Sequence, residues 1–239
     1  MMSTSPRRPW LLALTATLAV PLALVASDAR ATTVHGTVKL PEGARSTRLF
    51  QGYWRLENGN VPVQNTGGAK AETVVVLDKV NGGKAPPART VTIELGGLDA
   101  RPRLTIVGPG SVIELKNTGR IRHQLSTPDT PKVMPLEQLP PGGTRRQRFD
   151  AVGGYVIRDS EYPHIMISVI VVDSPYFSTL DEKGSFSIPN VPDGKVNLKV
   201  WTRGKWASEQ EVDTGALGKE ELTVKVASPH EREKEATAE

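Results

Sequence analysis

The chain predicts an all-β fold, and three features of its 239 residues predict it. Apolar side chains recur at every second position in segment after segment, which is the period of a strand and not of a helix. Turn chemistry interrupts those segments at short intervals, drawing on 22 Gly and 19 Pro. Two further segments are apolar without a break, the pattern of strands covered on both faces.

From the N-terminus, residues 1–31 read as a secretory signal peptide. Arg7 and Arg8 form a positive start, Trp10 to Ala26 is an almost wholly apolar run, and Ala29-Arg30-Ala31 offers small residues at the positions a signal peptidase reads. The expected cut follows Ala31, with a cut after Ala29 as the near alternative. An uncleaved anchor is the competing reading, but the run is short for a span and Pro21 interrupts it. The mature chain is therefore expected to work in a periplasm or outside the cell, with no stable insertion in the membrane.

Alternation then marks the strands. Val34, Gly36, Val38 and Leu40 alternate with Thr37 and Lys39; Val91, Ile93 and Leu95 with Thr92 and Glu94. Val196, Leu198 and Val200 alternate with Lys195, Asn197 and Lys199; Leu222, Val224 and Val226 with Thr223 and Lys225. The unbroken runs are Val74 to Leu77, and Ile167 to Val172 interrupted only by Ser168. Turn signals fall between: Pro41-Glu42-Gly43, Asn81-Gly82-Gly83, Gly108-Pro109-Gly110, Asn117-Thr118-Gly119, Pro140-Pro141-Gly142-Gly143, Lys183-Gly184 and Pro192-Asp193-Gly194. Gly96-Gly97 and Gly153-Gly154 also read as turns. Ala44 to Ala71 is long and irregular, with Tyr53-Trp54 in its middle, and Ser228 to Glu239 reads as a disordered charged tail.

Composition bounds the function. Losing Arg7, Arg8, Arg30 and Asp28 with the leader takes 30 basic and 26 acidic residues to 27 and 25, a net charge of +2. Such a balance gives no reason to expect nucleic acid as a partner. Cysteine is absent, which excludes disulfides and a lipid-bearing cysteine, so an apolar core alone must hold the fold.

Two stretches carry family resemblances. Ser111 to Asn117, Arg122-His123-Gln124-Leu125-Ser126, Gly142-Gly143-Thr144 through Phe149, Gly153-Gly154-Tyr155-Val156 and Pro163-His164-Ile165-Met166 together make residues 86–172 resemble the plastocyanin-like cupredoxins. Residues 173–227 resemble the carboxypeptidase-regulatory-like, transthyretin-like β-sandwich. The motifs are Asp173-Ser174-Pro175-Tyr176-Phe177, Asp181 to Ile188, Val191-Pro192-Asp193-Gly194-Lys195 and Val200-Trp201. Val34-His35-Gly36-Thr37-Val38 and Val74 to Leu77 look like strands of that same module, so residues 32–85 would supply its N-terminal part. The resemblances imply two Greek-key-type β-sandwich units, the cupredoxin-like one inserted into the other or sharing its sheet.

The cupredoxin resemblance implies copper, held by a Cys thiolate, two His and a weak axial Met. His123, His164 and Met166 match the family's His and Met positions. Counted back from Met166, its cysteine position falls on Ser160, and the order His-Pro is reversed to Pro163-His164. A blue-copper centre is therefore not expected. What remains is either a weak metal site of His123, His164 and Met166, with Asp159 or Glu161 as a harder ligand, or a relic in which both histidines are bonded into loop structure. His35 and His230 look incidental.

Motifs for metallopeptidase, serine hydrolase or nucleotide chemistry are missing from the sequence, and no enzyme activity is expected. Lys116, Arg120 and Arg122 flank His123, and Arg145, Arg146 and Arg148 follow on a predicted strand. Together they form a candidate basic rim for an acidic partner or an anion; more often such residues are a solvated face or the blunted edge of a sheet. Tyr53, Trp54, Trp201 and Trp206 are candidates for an aromatic patch or for packing. The expectation is a non-catalytic exported binding or structural module, partnered by a protein or envelope component. The alternative is a periplasmic copper-binding or redox protein.

Overall fold

The computed structural model describes residues 31–40, 70, 72–80, 82–96, 99–217 and 221–226. Residues 1–30 of the leader, Tyr53-Trp54, His230 and the charged tail lie outside these residues, as does all of the irregular segment 44–71 except Lys70.

In chain order the described strands are β1 (Ala31–Lys39), β2 (Val74–Asp78), β3 (Thr90–Gly96), β4 (Asp99–Arg101), β5 (Leu104–Val107) and β6 (Ser111–Asn117). There follow β7 (His123–Ser126), β8 (Glu137–Leu139), β9 (Thr144–Phe149), β10 (Gly153–Asp159) and β11 (Met166–Val171). The last are β12 (Phe177–Thr179), β13 (Ser185–Pro192), β14 (Lys195–Thr202), β15 (Lys205–Asp213) and β16 (Leu222–Lys225). A short helix, α1 (Thr214–Leu217), follows β15.

These strands form four sheets among the described residues, ordered β13-β1-β16, β12-β2-β14-β15, β5-β11-β10-β7-β8 and β4-β3-β6-β9. β1 and β2 share sheets with the C-terminal strands. The segment β3 to β11 thus interrupts a unit whose strands come from both ends of the chain.

Period-two alternation stacks the sheets into four layers. In β2 (Val74–Asp78), Val75 and Leu77 point into a core shared with Val34, Phe186, Leu198 and Val224, between the first two sheets. Val74 and Val76 point the other way, onto Val156, Ile170, Val172 and Trp201. In β11 (Met166–Val171), Ile167, Val169 and Val171 join Ile93, Leu115, Phe149 and Ile157 between the last two sheets. Ile170 turns back toward β2. The two unbroken apolar runs are therefore the strands of the inner layers, where neither face meets water.

The contact between the inner sheets is keyed by a glycine. A methyl group on Gly154 would stand 2.6 Å from Cε3 of Trp201 and overlap Cζ3 and Cη2. Gly153-Gly154 is thus not a turn, as its sequence suggests, but the start of β10, and its bareness admits the indole. Trp201 is 3 % exposed, with Trp206 edge-on to it at 5.2 Å between ring centroids. Their strands β14 and β15 turn on Arg203-Gly204, with φ of 52° and 77°. That is the two-residue left-handed turn that suits the twist of a hairpin. Thr73 and Thr202 add a buried hydroxyl–hydroxyl hydrogen bond of 2.8 Å within the sheet of β2 and β14.

Candidate functional site

His123 opens β7, and alternation sends it and Leu125 inward while Gln124 and Ser126 face out. Asp159 closes β10 in register with Leu125 and in phase with buried Tyr155 and Ile157. Two strands thus deliver an imidazole and a carboxylate to the same side of one sheet. His123 Nδ1 and Asp159 Oδ2 share a hydrogen bond of 2.6 Å, and both side chains are 0 % exposed.

The other carboxylate oxygen, Oδ1, takes three backbone N–H groups: Gln124 at 3.4 Å, Glu161 at 2.9 Å and Tyr162 at 3.2 Å. One carboxylate therefore joins β7, β10 and the loop 160–165. The loop then closes on itself, with Ile165 N–H donating to Tyr162 C=O at 2.8 Å. Tyr162 stands edge-on to both histidines, at 5.7 Å from His123 and 6.3 Å from His164 between centroids. Among the described residues, buried His123 Nε2 has no hydrogen-bond partner.

Met166 does not join them. It precedes Ile167 on β11, so it faces the opposite side of the sheet, packing with Val156 and Trp201 in the layer between the units. Its Sδ would lie 3.5 Å from a methyl on Gly204, at the tip of the β14–β15 hairpin. Ser160, at the family's cysteine position, sits beside Gln124, its Oγ 3.1 Å from Oε1. Glu161 accepts from Gln124 Nε2 at 2.9 Å. Among the described residues no three His, Cys, Asp or Glu side chains are grouped to hold a metal ion, so His164 does not complete a set with His123 and Asp159.

A copper ion would need a thiolate, or at least three converging donors. The donors here do not fit one: no cysteine exists, the thioether is on the wrong face, and Nδ1 of the buried histidine is already engaged by a carboxylate.

The basic rim divides in two. Arg145 turns inward, donating to Leu125 C=O at 2.9 Å and Pro135 C=O at 2.7 Å, with Glu137 at 3.2 Å. Arg146 pairs with Glu114 and Arg148 with Asp150, each at 2.5 Å. Arg145 is thus taken up within the fold, while Arg146 and Arg148 stay exposed in surface ion pairs on a solvated face. Lys116, Arg120 and Arg122 are exposed beside His123 at the end of the sandwich. The described residues give them no ion pair.

Asp159 meets His123 as its hydrogen-bond partner and not as a further ligand in a metal set. A signal existed: the series Tyr155, Ile157, Asp159 places a carboxylate in a buried register, and such a group requires donors.

These sheets define an all-β chain. No family model and no curated protein sequence matches it. Part of it is similar in structure to cupredoxins. Amicyanin from Paracoccus versutus is matched at 15 % identity over 41 % of this chain and 97 % of that one, with a TM-score of 0.32. A purple cupredoxin from Nitrosopumilus maritimus matches at 17 % over 34 % and 99 %, TM-score 0.31. A mutant fern plastocyanin matches at 14 % over 34 % and 100 %, TM-score 0.30.

Proposed function

We propose that this protein is an exported, non-catalytic binding module. Its cupredoxin-like unit, inserted into a transthyretin-like sandwich, presents a basic end to an acidic protein or envelope component. The observation that carries this reading is the division of labour at that end. His123 and Asp159, the side chains with most chemistry to offer, are wholly buried and engaged with each other. Lys116, Arg120 and Arg122 beside them face solvent without an ion pair among the described residues. Exposed cations grouped on the end of β6 and the turn that follows it favour acidic ligands, through contacts that weaken as salt screens them.

The test is retention of the mature chain on an immobilised polyanion such as polyglutamate, against a variant carrying Lys116→Glu, Arg120→Glu and Arg122→Glu. The reading expects the parent to be held at low salt and released as salt rises, and the variant to pass unretained. Equal retention of the two proteins would remove this surface from the account. Replacing Arg148 instead serves as control, because it removes a surface cation that Asp150 already neutralises.

A further inference from the structure

We propose that the His123–Asp159 pair is a metal-free clamp: it closes the end of the inserted sandwich in place of a bound ion, and by doing so shuts metals out. The proposal rests on the reading of a non-catalytic module and deepens it by naming what occupies the relic site.

The geometry supplies the reasons. Asp159 Oδ1 collects the backbone N–H groups of Gln124 in β7 and of Glu161 and Tyr162 in the loop, while Oδ2 is hydrogen-bonded to His123 Nδ1. The bonds to His123 and Gln124 tie the end of β10 to the start of β7, and those from Glu161 and Tyr162 hold the first turn of the loop on the same carboxylate. Tyr162, fixed by its own N–H to this carboxylate, carries the restraint to His164 through ring contacts with both imidazoles. An ion between Nδ1 and Oδ2, bonded to each at about 2 Å, would need the two atoms farther apart than the 2.6 Å of this hydrogen bond, so it would have to part β7 from the end of β10. An ion approaching Nε2 would find that nitrogen enclosed, with no third donor grouped beside it among the described residues. Met166 cannot swing in, because a strand reversal of face separates it from His123.

The clamp differs from a metal site in what removes it. A metal-closed loop opens with a chelator; this one opens only when one of two side chains is changed. Asp159→Asn keeps the shape but offers a neutral acceptor, and His123→Ala removes the donor.

The experiment titrates the mature chain with Cu(II) and with Zn(II) by calorimetry, and melts it with each ion and with EDTA. No stoichiometric heat and an unmoved Tm are expected. A double-mutant cycle of Asp159→Asn and His123→Ala follows, read by denaturant unfolding and by proteolysis within residues 160–165. Each single change should lower the folded-to-unfolded ratio on the order of 100-fold, and the double change should fall well short of the sum. His164→Ala should leave the ratio close to that of the parent. One equivalent of either ion bound by the parent and lost in His123→Ala would overturn the proposal, as would additive single changes. If the variants do not fold, the titration of the parent still decides. Failure of polyanion binding bears on the basic surface alone and leaves this result untouched.

Discussion

Trp201 lies where a side chain on Gly154 would be. The indole of a C-terminal strand occupies the space over a bare backbone in the inserted unit, and the inner layers meet on that contact. Gly154→Ala should therefore destabilise the whole chain by about 1–3 kcal/mol through overpacking, although alanine is a mild change elsewhere in a strand. Trp201→Ala should cost about 3–5 kcal/mol. Combined, the two should be less harmful than their sum, because the methyl clashes only with an indole that is present. Denaturant unfolding of the four proteins of this cycle measures it; additivity would mean that the contact is not the one described.

Asp99 and Glu72 share Arg103 yet shift in opposite directions. Burial opposes ionisation of Asp99, but hydrogen bonds from Arg103 at 2.6 and 2.8 Å, its charge, Arg101 and the Ala100 N–H outweigh it and hold the carboxyl below its ordinary value of 3.8. Glu72 stands 3.7 Å from Arg103, so burial dominates and pushes its carboxyl above 4.5. A depressed carboxyl adds stability above its unfolded value and loses it as pH falls through the folded one; a raised carboxyl adds stability at low pH and loses it as pH rises. The deficit of Asp99→Asn should thus be full above pH 3.8 and shrink on further acidification. Glu72→Gln should gain on the parent as pH rises past 4.5. Melting temperatures across an acid-to-neutral series check both signs.

Arg145 and Arg148 lie three residues apart on β9 and should answer differently to removal. Arg145 satisfies two backbone carbonyls between the sheets, and its side chain bears on Glu137 with only 10 % exposure. Arg148 makes a surface pair in which both partners are well exposed. Arg145→Ala should cost about 1–3 kcal/mol and Arg148→Ala no more than about 0.5. Denaturant midpoints at constant m-value are the readout.

The leader reading is tested by the N-terminal sequence of the protein recovered from the cell envelope or medium, expected to begin at Thr32. β1 starts at Ala31, which pairs with Pro192, so that cut would remove only the first residue of the strand. A chain that starts at Met1 and sediments with membranes would show an uncleaved anchor instead.

Much of the fold was legible because strand burial is written with period two. Val74 to Leu77 and Ile167 to Val172 announced strands covered on both faces, and both lie in the inner layers. Edge strands were harder. β15 (Lys205–Asp213) carries mostly polar side chains because little covers it, and nothing in its spacing separates it from a loop. The site was legible only in its histidines. Asp159 lies 36 residues from His123, and only the pairing of β7 with β10 brings them together. Met166 fell to the far face because sequence distance from His164 says nothing about which side of the sheet a residue takes once the loop has become a strand.

The state of the His123 ring tests the central claim most directly. Long-range proton–nitrogen correlation on the histidine-labelled mature chain reports which ring nitrogen bears the proton and whether a metal is bound. With EDTA, and again with excess Zn(II), His123 should show one unchanged pattern, a protonated Nδ1 whose proton resonates far downfield and exchanges slowly. A ring nitrogen of His123 that shifts on adding one equivalent of Zn(II), with loss of the Nδ1 proton, would contradict the clamp and restore a metal to this end of the fold.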